Sequence, residues 1–264
     1  MTLKNKLLLL LSLPGLGACL LGGWIACEKW RAYRASAVLE TNAVLLNQFG
    51  AVVHELQKER GRSAVFLGSQ GAKFVAELPA QQQTSDAEVA RLRQLLIAFD
   101  SKSLGADGQS RFDAGINALD RLVSETRRAV LSTNLTAADS TGHFTQTITS
   151  LLGVGGAVSR LAHDAAVARG MAGYLSFLQA KELTGIERAI LAGVFSADKF
   201  TGGALNEFNQ VAAAQETYLR VFANSATPEQ TRFYEEQVRG PACDAATQMK
   251  QKALRIDEMR RPAP

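Results

Sequence analysis

The sequence predicts an all-α protein: an N-terminal membrane helix followed by antiparallel helical bundles. Three observations carry the prediction. Alanine and leucine dominate a chain of 264 residues that has six prolines and few aromatics, a composition that favours helix. From Ala32 onwards apolar residues recur at spacings of three and four, and no stretch alternates with β-branched enrichment. The links between periodic segments are short, which makes neighbouring helices antiparallel.

At the N-terminus, Lys4 and Lys6 precede a run without charge from Leu7 to Cys27. That run is about the length needed to cross a ~30 Å hydrocarbon core. Trp24 and Trp30, with Lys29, Arg31 and Arg34, suit an interfacial anchor at its far end. Residues 1–31 are therefore expected to form a transmembrane anchor or uncleaved signal, contacting the membrane through residues 7–27, with residues 32–264 as the helical domain. A cleavable signal peptide and a lipoprotein site at Cys19 are the alternatives. The length of the run, the lack of a small-x-small site and the apolar residues after Cys19 weigh against them. Basic residues flank both ends, so charge leaves the orientation open.

The helical segments follow in order. The first spans 33–68 and ends near "GSQG". Thr84-Ser85-Asp86 is a good N-cap cluster for a helix over Ala87 to Phe99. "SKSLGADGQS" reads as a loop, Arg111 to Leu131 as a helix, and "STNLTAADS" as a break. Helices over 141–168, 171–195, 202–223, 228–238 and 242–259 complete the chain. Pro228 sits at a first-turn position after Thr227, and Gly240-Pro241 divides the last pair.

Charge and composition exclude several function classes. The net charge is +4, with acidic and basic residues interspersed and no basic run interleaved with aromatics, so no nucleic-acid partner is expected. Of three cysteines, Cys19 and Cys27 lie in the apolar segment, leaving Cys243 without a disulfide partner in the helical part. His54, His143 and His163 are scattered and lack metal-ligand spacing, so neither metal nor cofactor is expected. No Ser-His-Asp, Cys-His or phosphate-loop arrangement is present, which argues against an enzyme.

The stretch "LQKERGRSAVFLGSQG" (56–71) concentrates Lys58, Glu59, Arg60 and Arg62 amid apolar residues. Helical spacing places Arg60 inside a stripe of Leu45, Phe49, Val53, Leu56, Ser63 and Leu67. Arg60 either snorkels from the margin of that stripe or pairs with a neighbouring carboxylate, or it points into a bundle to receive an anion. "ERGRSAVFLGSQGAKF" (59–74) is echoed by "ERAILAGVFSADKF" (187–200), which sets Arg188 in a position comparable with Arg60. Arg169-Gly170 and Arg239-Gly240 repeat the Arg-Gly pairing and read as pocket borders or as helix-end cations.

Gln57, Lys58, Glu59, Arg60, Gly61 and Ser63 resemble the hallmark Gln-Lys-Glu-Arg-Gly-x-Ser of the nitrate- and nitrite-sensing (NIT) domain family. Lys181, Glu182, Gly185, Glu187, Arg188 and Ala189 resemble its second signature, and the likeness covers approximately residues 45–255. The resemblance implies two four-helix bundles sharing long helices, with nitrate or nitrite bound between helices by arginines and no catalysis. Arg60 carries over from the first motif and Arg188 from the second; Arg239 is the third candidate by position, and Arg62 an accessory one. Nitrate is planar and weakly hydrated, and a guanidinium offers coplanar donors to two of its oxygens. Family members couple the sensor to a signalling or nucleic-acid-binding module. The residues up to "RRPAP" contain neither, so output is expected through a partner or a longer receptor. The combined expectation is a homodimeric, single-pass sensor of the inner membrane with a periplasmic domain, signalling by helix repacking. The competing readings are a helical scaffold that has lost its ligand and a sensor of another small anion.

Overall fold

The first described helix, α1, runs over residues 41–68 in a computed structural model that describes residues 41–162, 164–200 and 202–260. The expected anchor over 1–31, and residues 32–40, lie outside the described residues. The other helices are α2 (Glu77–Ile97), α3 (Gly105–Arg121), α4 (Arg127–Leu131), α5 (Ala137–Ser159), α6 (Ala165–Ala197), α7 (Ala204–Ser225), α8 (Pro228–Gln237) and α9 (Pro241–Arg260). No strand occurs among the described residues, in accord with the expected all-α class.

Three boundaries differ from expectation, each for a physical reason. Helix α2 begins at Glu77, so Thr84-Ser85-Asp86 falls inside it. Thr84 and Ser85 return their hydroxyls to the carbonyls of Ala80 and Gln81, and Asp86 is taken by Arg127, so tertiary contacts use the polar groups that would otherwise cap. "SKSLGADGQS" forms a 3₁₀ turn, Ser101–Leu104, capped by the Asp100 side chain, and then enters α3 directly. The break before α6 lies ahead of Asp164, whose carboxylate accepts from the N–H groups of Ala166 and Val167. Arg169-Gly170 is accordingly helical interior, not a helix end. Further along, Thr227 and Gln230 form the reciprocal cap of α8 with Pro228 in its first turn, as the sequence implies.

The largest core draws Leu45, Phe49, Val52 and Leu56 from α1 against Val89 and Leu92 of α2, Leu119 of α3, Phe144, Ile148 and Leu151 of α5, and Leu178 of α6. A smaller core joins Phe66 and Leu67 of α1 to Leu78 of α2 and Val130 of α4. Farther along α6, Leu191 and Val194 pack on Phe208 of α7 and Ala253 of α9. Helix α6 therefore contributes to two separate cores. Glycine permits the closest approach between α3 and α5, since a Cβ at Gly115 would lie 2.6 Å from Val154 Cγ2.

Between α3 and α4 the chain makes a single π-helical turn, Leu122–Thr126, closed by the Arg127 N–H donating to the Leu122 carbonyl. Arg127 leaves that turn directed into the molecule. Its Nε and Nη2 donate to the two oxygens of Glu59 at 2.6 and 2.8 Å, and Nη1 reaches Asp86 at 2.5 Å. The Glu59 side chain is 0% exposed. Burial opposes the charge of Arg127, yet hydrogen bonds and charge from Glu59 and Asp86 raise its pKa overall. Replacing Glu59 by Gln leaves Asp86 as the sole carboxylate on a buried guanidinium. The expected loss of stability is about 3 kcal/mol, read from the shift in urea unfolding midpoint at constant slope.

A cation-lined cavity between the long helices

Arg60 is buried, and its partner is Glu182 of α6. Its Nη1 donates to Oε1 at 2.5 Å and its Nη2 to Oε2 at 3.2 Å, while Nη1 also donates to Thr145 Oγ1 at 2.8 Å. Gln57 adds a third donor to the same carboxylate, Nε2 to Oε2 at 2.8 Å. The pair is possible because residue 185 is glycine. A Cβ there would lie 2.8 Å from Arg60 Nη2, so the guanidinium occupies space that any other residue would fill. Both signature motifs are thus two halves of one contact.

The Glu-Arg echo has a structural counterpart. Glu59 is buried and held by Arg127, and Glu187 is 2% exposed and held by Lys250 of α9 at 2.6 Å. Each element ends in left-handed backbone, Gln70 and Gly71 after α1 (φ 53° and 80°) and Asp198 after α6 (φ 52°). In both elements the glutamate turns inward and the following arginine stands at a cavity.

That cavity, of about 880 Å³, lies between α1, α6, α7, α8 and α9. Six lysines and arginines line it, Lys58, Arg60, Arg62, Lys181, Arg188 and Lys250, and the lining contains no carboxylate. Behind the wall, Glu55 pairs with Lys58, Glu182 with Arg60 and Glu187 with Lys250. The other three have no carboxylate partner among the described residues. Arg62 donates to the Gln81 amide oxygen, Lys181 donates to His54 Nδ1 at 2.6 Å, and Arg188 is exposed, with no hydrogen-bond or ion-pair partner among the described residues. Burial, then the charges of Lys181 and Lys58, hold His54 below its ordinary pKa, so it is neutral at pH 7 and accepts from Lys181. Burial and Lys58 likewise lower Lys181, against the attraction of Glu182 and Glu55. Phe177 and Tyr234 line one side, and with Phe222 behind them they form a cluster of tilted and edge-to-face rings from three helices at centroid separations of 5.4 to 6.1 Å. A surplus of cations in a partly enclosed, low-dielectric recess attracts a small anion.

The structure brings Arg60, Arg62 and Arg188 to this one cavity. Arg239 is elsewhere: it follows α8, pairs with Glu235 at 3.3 Å with its side chain 75% exposed, and is not among the lining residues. Sequence reasoning gave no role to Glu182, Arg127, Lys181 or Lys250. Arg127 was discoverable, since it interrupts a buried stripe of Leu119, Leu122, Thr126 and Val130 as Arg60 interrupts its own. Gly185 gives a test of the geometry through stability. Gly185→Ala is expected to destabilise by about 1–2 kcal/mol because it displaces a buried charge-assisted pair. Gly193→Ala in the same helix, where an added Cβ meets nothing within 4 Å, is expected to stabilise by about 0.5–1 kcal/mol. Parallel urea titrations of the two variants provide the comparison.

Comparison with known proteins places these features. A nitrate regulatory protein of Klebsiella oxytoca is 29% identical over 241 residues, which are 91% of this chain and 57% of that protein. The solved structure of the NasR transcription antiterminator matches with a TM-score of 0.74 and 27% identity, over 84% of this chain and 60% of that one. The chain thus spans less than two thirds of the length of either relative. These relatives overturn the expectation of a membrane-anchored inner-membrane sensor with a periplasmic domain, since one is a regulatory protein and the other acts in transcription. Among the described residues no helix is long and apolar enough to cross a membrane, and the segment 7–27 on which that expectation rested lies outside them. The exclusion of nucleic acid falls too: the charge pattern of a helical sensing part carries no information about the output of a transcription antiterminator. The nitrate and nitrite sensing pattern matches residues 51–264, and the chain belongs to the NIT family.

Proposed function

We propose that the chain is the anion-sensing part of a nitrate- and nitrite-responsive regulator of gene expression, of the kind its two relatives represent. The observation that supports this reading most directly is the cavity lined by six cationic side chains and no carboxylate. Arg60 and Arg188 approach it from α1 and α6, with Arg62 beside them. Guanidinium groups from two helices suit a planar, singly charged anion whose desolvation is cheap. At Gly61, which lines the cavity, an added Cβ would meet nothing within 4 Å, so there is open space beside Arg60 and Arg62. The role is binding, not turnover.

We read the helices as two four-helix bundles sharing their long members. Support comes from α6, whose two ends contribute to separate cores, and from the cavity lined jointly by α1 and α6. An anion bound there touches both long helices and is able to bias how they pack, provided that two packings differ in affinity for it.

Isothermal calorimetry on the purified chain with nitrate, nitrite, chloride and sulfate tests the reading. Heat with the nitrogen oxyanions is expected, and none with either of them would defeat the proposal. Arg188→Ala, which removes an exposed cation and leaves the core intact, is expected to weaken nitrate binding roughly 10-fold or more. Arg60→Lys is expected to weaken it as well, because the planar fork is lost. Arg239→Ala is expected to bind like the wild type.

A further inference from the structure

We infer that Glu182 is a built-in competitor for Arg60, a resident anion that the diffusible ligand displaces, and that it sets the concentration at which the cavity fills. The inference rests on the reading of the cavity as an anion site. Both Glu182 oxygens lie on the outer fork of the Arg60 guanidinium, at 2.5 and 3.2 Å. The carboxylate is 3% exposed, and Gln57 holds Oε2 with a further hydrogen bond of 2.8 Å. Arg60 and Gln57 line the cavity while Glu182 does not, so the carboxylate holds from the α6 side an arginine and a glutamine that an anion in the cavity reaches.

The chemistry of competition follows from shape. A carboxylate and a nitrate each present two oxygens from one planar centre, and the fork accepts one such edge at a time. Nitrate therefore gains the outer fork of Arg60 only as Glu182 loses it, whereas binding at the Nε edge, with Glu182 in place, predicts no gain from Gln57→Ala. The net affinity is the difference between two similar interactions, which keeps it low and tunable. The resident carboxylate also maintains Arg60 when the cavity is empty, since a buried guanidinium without an anion is strongly unfavourable. Lys181 precedes Glu182 in α6, lines the cavity and is within electrostatic reach of it, so a cation is available to the displaced carboxylate. Because the pair joins α1 to α6, displacement would also release a link between the long helices.

Two variants separate displacement from a general charge effect. Glu182→Gln removes the competing charge and keeps the shape. Gln57→Ala removes one of the three hydrogen bonds that hold the carboxylate and leaves the charge unchanged. Nitrate titrations by calorimetry on the full chain, with folding checked by circular dichroism melting, are expected to show tighter binding in both, at least 10-fold for Glu182→Gln and about threefold for Gln57→Ala. Tighter binding by Glu182→Gln with unchanged or weaker binding by Gln57→Ala would overturn displacement and leave the anion site standing. Unchanged or weaker binding by Glu182→Gln would do the same. No heat from wild type or either variant with nitrate or nitrite would remove the anion site and this inference together. Should Glu182→Gln fail to fold, Gln57→Ala decides: tighter binding supports displacement, and any other result overturns it.

Discussion

The buried pair of Arg60 and Glu182 constrains more of this molecule than any other contact. It takes one residue from each signature motif and fixes α1 against α6 across 122 positions of sequence. Pairs of this kind add little net stability, because desolvation offsets most of their attraction. They are demanding about geometry. Here the demand extends to a glycine under the guanidinium, a threonine on α5 and a glutamine one turn earlier on α1. An arrangement that left either charge unmatched would be heavily penalised, so the pair selects one relative placement of the two helices. The cavity is a consequence of that placement.

The electrostatics of the cavity follow a simple division. Cationic groups face the open space, and their counter-carboxylates are placed behind them, on or beyond the helices that form the wall. Where a carboxylate is lacking, neutral groups such as Gln81 and His54 accept in its place. The field inside is positive without the folded chain carrying unmatched buried charge at every position. Half of the cations are compensated, which keeps the fold affordable, and half are not, which keeps the recess attractive to anions.

The helical class and the later boundaries were readable from the sequence because they depend on local chemistry: apolar spacing, Pro228 after Thr227, and Gly240-Pro241. The early boundaries were not. Thr84-Ser85-Asp86 has the composition of a cap, and only the approach of Arg127 and α1 explains why a helix passes through it. For the site, the stripe argument singled out Arg60 on an apolar face and left open whether it snorkels, pairs with a carboxylate or receives an anion. It did not supply the partner, because Glu182 lies 122 residues away in sequence. Arg239 was a candidate by position, and its Arg-Gly pairing was open to a helix-end reading: it follows a short exposed helix, pairs with Glu235 and does not line the cavity, although Val238 beside it does. Composition was equally blind to output, since the charge of a sensing domain reflects its own ligand and its own surface.

The π-helical turn ahead of Arg127 has an evolutionary consequence. A π turn absorbs one extra residue without turning the helix that follows, so excising one residue from 122–126 would restore regular winding and leave Arg127 close to Glu59. The same excision from the regular winding of α3 would turn everything after it by about 100°, draw the arginine away and leave an unmatched carboxylate in the interior. A residue is therefore gained or lost at low cost in the π turn, while elsewhere in this helix its gain or loss is coupled to the acid at position 59 on α1.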